Sequence, residues 1–422
     1  MVKMKTKMKL LIFILCWALL FIAGCGQKAV LENTKSTTSA ENLANTQEAT
    51  KPEDKSAASN TGLSSTGEKV VKIGLIAPLT GDFSAFGRHM ENAFRLAVEE
   101  RNYKTGDFII RIVIADDQGD AGKADKEAAK LINEEKIHAI IGSFSYNCNI
   151  IISDIAQCSN IPMLTPTSPM PGITYHMGHR KDYIFCTDIG DYFHGTAAAG
   201  FALKNLKAKT AAILYNQDNE FGISNAERFK DEFENGGGKI QSFTAYSLKD
   251  KNFSTLLNDM ANLKPDVIYF PDAYYMAGTI ARQAQKNGIK ATLYSGIVWD
   301  SDSIDPQALE GAYCTDHYST DDPRPEVREF IKKYYHKYNS RPDAAAALTY
   351  DATQILLKAV ETANSNNPVK INEAVQNIKD FPAVTGNMSF DHDGNPIKPA
   401  VILQVKGGKN IYFTSITPSP EI

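Results

Sequence analysis

IGLIAPLTGDFSAFGRHMENAFRLAVEERN, residues 73–102, changes its period partway along, and that change sets the fold class. Residues 70–77 form a near-continuous apolar run, as expected of a strand covered on both faces. Met90, Ala93, Phe94, Ala97 and Val98 then recur at i, i+3, i+4, i+7 and i+8, which is one face of a helix. The alternation continues outward, with strands expected at 108–115, 138–142, 161–164 and 183–186 and helices at 122–134 and 146–158. It restarts near residue 190, with helices at 192–206, 220–235, 253–263 and 275–287 alternating with strands at 211–215, 240–245, 267–270 and 292–295. Such a pattern builds parallel sheets covered by helices on both faces.

A body of about 350 residues exceeds what one such core holds, so the restart divides it into two similar α/β lobes. Helices at 324–338, 343–363 and 370–378, then strands at 386–390, 400–405 and 411–414, require the chain to cross between lobes. The expected organisation is 70–190 plus 320–383 in the N-lobe and 191–319 plus 384–418 in the C-lobe, joined by a hinge of several crossings.

Ahead of the body, Lys3, Lys5, Lys7 and Lys9 precede an unbroken apolar run, residues 10–22, closed by Ala23, Gly24 and Cys25. A basic start, a short apolar run and small residues make a signal peptide over 1–24; a bilayer-spanning helix wants about 20 apolar residues. The order Ile22-Ala23-Gly24-Cys25 resembles the bacterial lipobox, which implies that Cys25 carries a diacylglycerol anchor. Residues 25–69 follow as a disordered tether, with no aromatic residue among abundant Ser, Thr, Asn, Ala, Glu and Lys. As a flexible coil this tether would span roughly 35 to 40 Å.

Removal of the leader, with four Lys and no acid, takes the formal charge from -4 to -8. An acidic exported body argues against nucleic acid as a partner. Cys148, Cys158, Cys186 and Cys314 show no CxxC or zinc-type spacing and are expected as buried small hydrophobes, although export permits disulfides. His176 and His179 have no third ligand in view, and the DHDGN stretch at 391–395 has its Gly at the wrong place for a calcium loop, so no metal is expected. No nucleophile elbow, phosphate loop, dinucleotide fingerprint or zinc-protease motif is present, and neither catalysis nor a cofactor is expected.

Polar and aromatic residues follow the predicted strands instead. Pro78, Leu79, Thr80 and Gly81 come after the first, then Phe83, Ser84 and Phe86; Ser143, Ser145 and Tyr146 follow another, and Thr165, Thr167 and Ser168 a third. Phe221 and Gly222, Tyr274 and Tyr275, and Trp299 and Asp300 hold the matching places in the second lobe. Open α/β sheets bind ligands beyond the carboxyl ends of their strands, where helix N-termini offer free N–H groups. A cleft for a small molecule with a polar or anionic head is expected there.

The same stretches, with ADDQGDAGKADKEAAKLI, AIIGSFSYN, IPMLTPTS, YNQDNEFG, WDSDS, TYDA and FDHDGNP in order, resemble the type I periplasmic substrate-binding proteins of the leucine/isoleucine/valine-binding group over about residues 71–413. The resemblance implies two Rossmann-like lobes joined by a three-crossing hinge, in a monomer that closes its lobes on a ligand and hands it to ABC permease subunits. It places a ligand-covering aromatic at Phe86, a hydroxyl at Ser145 or Tyr146, a backbone contact at Thr167 with Ser168 as the nearest hydroxyl, and second-lobe aromatics at Phe221, Tyr274 and Tyr318, with Trp299 as a further lining residue. The bulky Tyr146 departs from the usual small serine, and Ile297 stands where relatives that bind amino acids commonly carry an acid. A buried ammonium without a partner is costly. Either another acid such as Asp300 substitutes, or the ligand is a related carboxylate or amide. A sensory receptor of the same fold, reporting a solute to a signalling partner, is the alternative to an importer subunit.

Overall fold

The computed structural model describes residues 68–271, 274–296 and 308–417. The leader, Cys25, most of the expected tether, and Ile297, Trp299 and Asp300 lie outside the described residues. The first sheet has six strands in the order β2-β3-β1-β4-β5-β8: β1 (Val70–Ala77), β2 (Lys104–Thr105), β3 (Phe108–Asp116), β4 (Ala139–Ile141), β5 (Met163–Thr165) and β8 (Ile184–Cys186). All pairs are parallel except β2 on β3. Helices α1 (Ser84–Glu99), α2 (Ala121–Asn133) and α3 (Tyr146–Cys158) make the crossovers. A short helix α4 (Pro171–Thr174) and the hairpin of β6 (Tyr175–His176) and β7 (His179–Arg180) lie between β5 and β8.

Alternation along β1 shows why a continuous apolar run was needed. Val71, Ile73, Leu75 and Ala77 enter the core with α1, whereas Ile76 enters the core formed with α2 and α3. Gly74 faces that second core because a Cβ there would meet Leu131 and Ile137 side chains at 3.0 Å.

The second sheet runs β10-β9-β11-β12-β13-β16-β17, built from β9 (Thr210–Asn216), β10 (Lys239–Tyr246), β11 (Val267–Phe270), β12 (Thr292–Ser295), β13 (Tyr313–Asp316), β16 (Ala400–Lys406) and β17 (Lys409–Ile416). The first five strands are parallel and the last two join antiparallel. Helices α5 (Asp191–Lys204) and α6 (Glu220–Asn235) pack on one face, with Ala211, Ile213, Val267 and Tyr269; α7 (Ser254–Asn262) and α8 (Tyr274–Lys286) pack on the other, with Ala212, Leu214, Ile268 and Phe270.

Helices α9 (Pro325–Tyr338), α10 (Ala344–Ala363) and α11 (Pro368–Gln376) return to the first lobe, where α10 lies against α1. The chain therefore passes between the sheets after β8, after β13 and before β16. One assignment differs from expectation. Residues 384–397, given to the C-lobe by the sequence, include the hairpin of β14 (Ser389–Phe390) and β15 (Pro396–Ile397), and these belong with the first sheet. Met388 and Phe390 enter the β1 core, the Phe390 ring lies 5.2 Å from Phe185, and Gly394 accepts a hydrogen bond from Cys186 N. Cys148, Cys186 and Cys314 are buried as expected, but Cys158, at the end of α3, is exposed.

Candidate ligand cleft

In both sheets the strand that starts the lobe, β1 or β9, lies between the strands that follow it, so the crossovers turn in opposite directions on its two sides. The crevice of a doubly wound sheet opens at that reversal. In the first lobe it falls at the ends of β1 and β4.

The loop after β1 is shaped by Asp116, the last residue of β3. Its carboxylate accepts from Leu79 N (2.8 Å), Thr80 N (3.2 Å), Thr80 Oγ1 (2.6 Å) and Gln118 N (2.9 Å). Burial acts to raise its pKa, but these hydrogen bonds outweigh it and hold the carboxyl below the ordinary value. Gly87 lets α1 start directly over this loop, since a Cβ there would lie 2.0 Å from Pro78 O. The result presents Phe86, 41% exposed, stacked on Phe144 at 4.4 Å and 7°, with Phe83 at 5.5 Å from the same ring.

The ends of β4 and β5 are locked by Asn149 on α3. Its amide accepts from Ser143 N (2.7 Å) and donates to Ser143 O (2.7 Å) and Thr167 O (3.3 Å). Ser143 Oγ donates in turn to the buried Asp117. Thr167 Oγ1 donates to Ser143 O (2.9 Å) and Phe144 O (2.8 Å), and Ser168 Oγ donates to Phe144 O (2.9 Å). A carbonyl can only accept, so both hydroxyl protons are committed and the two oxygens are left as acceptors. Ser145 is the opposite case. As N-cap of α3 its oxygen accepts from Cys148 N (3.4 Å), which sets its hydroxyl beside the open N–H groups of the helix.

Thr167 and Ser168 thus converge on the Ser143–Phe144 backbone, next to Ser145 and to the Phe86–Phe144 stack. Tyr146 turns elsewhere: its ring packs with the α2/α3 core and its hydroxyl lies 2.6 Å from where a Cβ on Gly172 would stand. Phe144, Asn149 and Asp117 carry this arrangement without having been singled out in the sequence. Nothing in a single sequence marks an Asn four residues after a capping Ser.

In the second lobe Asn219 caps α6 by accepting from Phe221 N (3.1 Å), and Asn225 ties the helix to α5 by donating to Phe221 O (3.0 Å) and accepting from Gly195 N (2.6 Å). The half-buried Phe221 ring faces His194 at 5.8 Å and approaches Gly296, whose Cβ position would be 3.3 Å from it. Tyr274 opens α8, after β11. Tyr318 is 5% exposed, packs with α1, α9 and α10, and meets Phe330 edge-on at 6.4 Å, so the structure places it in the first lobe's helical core. Burial and nearby carboxylates push its phenol well above the usual range. Among the described residues no group of His, Cys, Asp and Glu is arranged to hold a metal ion, and no helix is long and apolar enough to cross a membrane.

Two doubly wound sheets of one strand order, linked by three crossings, define the class: a two-lobed α/β protein with the type I periplasmic binding fold. The chain belongs to the periplasmic binding protein family, whose model matches residues 70–410. It is 28% identical to Leu/Ile/Val-binding protein homolog 2 of Brucella abortus over 349 residues, 81% of this chain and 91% of that one. A leucine-binding protein LivK of Thermotoga maritima shares 31% identity at a TM-score of 0.64, covering 82% of this chain and 99% of its own. The branched-chain amino acid transporter substrate-binding protein LivJ of Streptococcus pneumoniae, solved with isoleucine, shares 25% identity at a TM-score of 0.66, covering 83% and 100%. The family is extracytoplasmic, and its members bind solutes without transforming them.

Proposed function

We propose that this chain is the solute-binding subunit of an ABC importer and that its ligand is a small apolar α-amino acid held between the lobes. The observation that carries this reading is the split of polarity at the ends of β4 and β5. Ser145 and the N-terminus of α3 offer donors suited to a carboxylate, whereas the Thr167 and Ser168 oxygens are acceptors suited to an ammonium. Such a pair of subsites receives a zwitterion without an acid at position 297. Phe86 on Phe144 covers the apolar side chain from one lobe, and Phe221 approaches it from the other. The isoleucine complex of the related LivJ and the leucine-binding relative support the ligand class.

In the same reading, residues 1–24 are a signal peptide, Cys25 carries a lipid anchor with 25–69 as tether, and the monomeric body is two lobes, with residues 384–397 counted in the first. Mass spectrometry of the mature N-terminus tests the anchor, and an unmodified chain starting elsewhere than Cys25 would remove it.

The ligand is tested by thermal shift and calorimetry against leucine, isoleucine, valine and their 2-keto and des-amino counterparts. A ligand at 100 times its Kd adds about 2.7 kcal/mol to stability, enough to move Tm by several degrees. The amino acids are expected to stabilise the protein and the des-amino acids to bind more weakly. Equal stabilisation by des-amino acids would sink the role given to Thr167 and Ser168, and no response to any of these compounds would sink the ligand class.

A further inference from the structure

Each of the three crossings carries a charged or titratable residue into one buried cluster. Asp188 lies in the first, after β8; His317 directly follows β13; Lys398 precedes β16. His317 Nδ1 lies 2.6 Å from Asp188 Oδ1. Lys398, 1% exposed, donates to Thr385 Oγ1 (2.8 Å), which donates to Asp351 on α10 (2.7 Å). His194, near the start of α5, is 1% exposed, and its Nδ1 has no hydrogen-bond partner among the described residues. Its ring stands edge-on to His317 at 5.1 Å and 88°, and to Phe221 at 5.8 Å and 62°. One imidazole therefore touches both an aromatic at the mouth of the second-lobe crevice and the ion pair that joins two crossings.

We propose that His194 is a positioning residue that couples Phe221 to the hinge through its contact with His317. The ligand's part in this coupling rests on the function proposed above, but the contact chain does not. His194 acts by packing and not by its own titration, because burial and the neighbouring His317 charge hold it neutral, well below the ordinary imidazole value. His317 is the titrating member. Burial lowers its pKa, but the charge and hydrogen bond of Asp188, with Asp316 beside it, more than compensate against Lys398, and the net shift is upward. Arg324, paired with Asp322 at 2.8 Å, and Asp351 are the other charges around Lys398. As His317 loses its proton the pair with Asp188 is lost, the ring is released from its place, and His194 and Phe221 follow.

The test uses the full chain with a fluorinated phenylalanine at 221, followed by fluorine NMR from about pH 5.5 to 8.5, alongside imidazole titrations of His317. The fluorine resonance is expected to move with the midpoint of His317, above 6.5. His317→Gln should flatten it, and His194→Leu should flatten it while His317 still titrates. If His194→Leu does not fold, Asp188→Asn serves instead, and it should carry both midpoints downward together. A fluorine signal that stays flat while His317 titrates overturns the proposal, as does an inflection that survives in His194→Leu or separates from His317 in Asp188→Asn. These readings need no ligand. A coupled titration in a protein that binds none of the amino acids would refute the proposed function and leave the coupling standing.

Discussion

Asn149 holds two strand ends in register with one amide, and removing it isolates what that lock contributes. Asn149→Ala would leave Ser143 N without that partner, while Ser143 O and Thr167 O keep the Thr167 and Thr165 hydroxyls, and one unsatisfied buried donor costs about 1–3 kcal/mol. Destabilisation of about 1–3 kcal/mol is expected from urea unfolding, and calorimetry should show weaker ligand binding because Ser143 and Phe144 position Ser145 and Thr167. A variant that unfolds like the parent would mean that water replaces the amide. Phe86→Ala should separate the two effects. Its exposed ring contributes little to the core, so stability should change by under about 1 kcal/mol, whereas affinity should fall by about 1–3 kcal/mol if it covers the ligand. At this scale the sequence was legible in part: the hydroxyls expected after the strands, Ser145, Thr167 and Ser168, do lie together beyond β4 and β5. It was illegible where function depends on partners far along the chain: Tyr146 and Tyr318 have the right chemistry for a cleft, yet one packs at Gly172 and the other in a helical core.

Among the elements, α5 and α6 form the contact that sets the second-lobe crevice, and Gly195 is where their backbones meet. A Cβ at 195 would lie 2.4 Å from Asn225 O and 3.0 Å from Phe229 N, both backbone atoms of α6. Gly-to-Ala inside a helix ordinarily gains about 1 kcal/mol from propensity, whereas overpacking a close contact costs about 1–3 kcal/mol. Backbone atoms yield less readily than side chains, so Gly195→Ala is expected to destabilise the protein and, by displacing His194 and Phe221, to weaken ligand binding as well. A variant more stable than its parent in thermal unfolding would show that α5 slides freely. Elements of this kind were legible because period separates strand from helix: α1 and β1 were visible in one stretch. The strand β13 was not foreseen, because four buried residues, Tyr313–Asp316, end in a Thr and an Asp that carry no apolar pattern, and only pairing with β12 and β16 makes them a strand. Residues 384–397 were misplaced for a related reason, since a strand-like composition does not say which sheet it will join.

For the whole molecule, four histidines predict a stability maximum near neutral pH, with opposite signs on its two sides. Burial lowers the pKa of His194 and His138, so below about 6.5 the unfolded chain takes up protons that the folded one refuses, and stability falls with pH. His89, raised chiefly by its hydrogen bond to Asp343, and His317, raised overall by Asp188 against burial, behave in the reverse way. Their contribution is fully present below the unfolded value and is lost as pH rises through the higher folded value. Lys398 opposes this loss further up: burial brings its pKa down to about 8 despite Asp188 and Asp351, so from there towards its ordinary value of 10.5 the unfolded chain binds the extra proton and stability recovers. Urea midpoints are therefore expected to peak near neutrality, fall towards pH 5, and fall again above about pH 6.5 until Lys398 begins to titrate near 8. His317→Gln should remove its share of the dip and make the acid limb shallower, since the His317 charge helps to hold His194 neutral; a dip that keeps its full depth in that variant would assign the alkaline loss to His89 alone. Because His317 sits in a crossing, this part of the pH response concerns the joint between lobes more than either core.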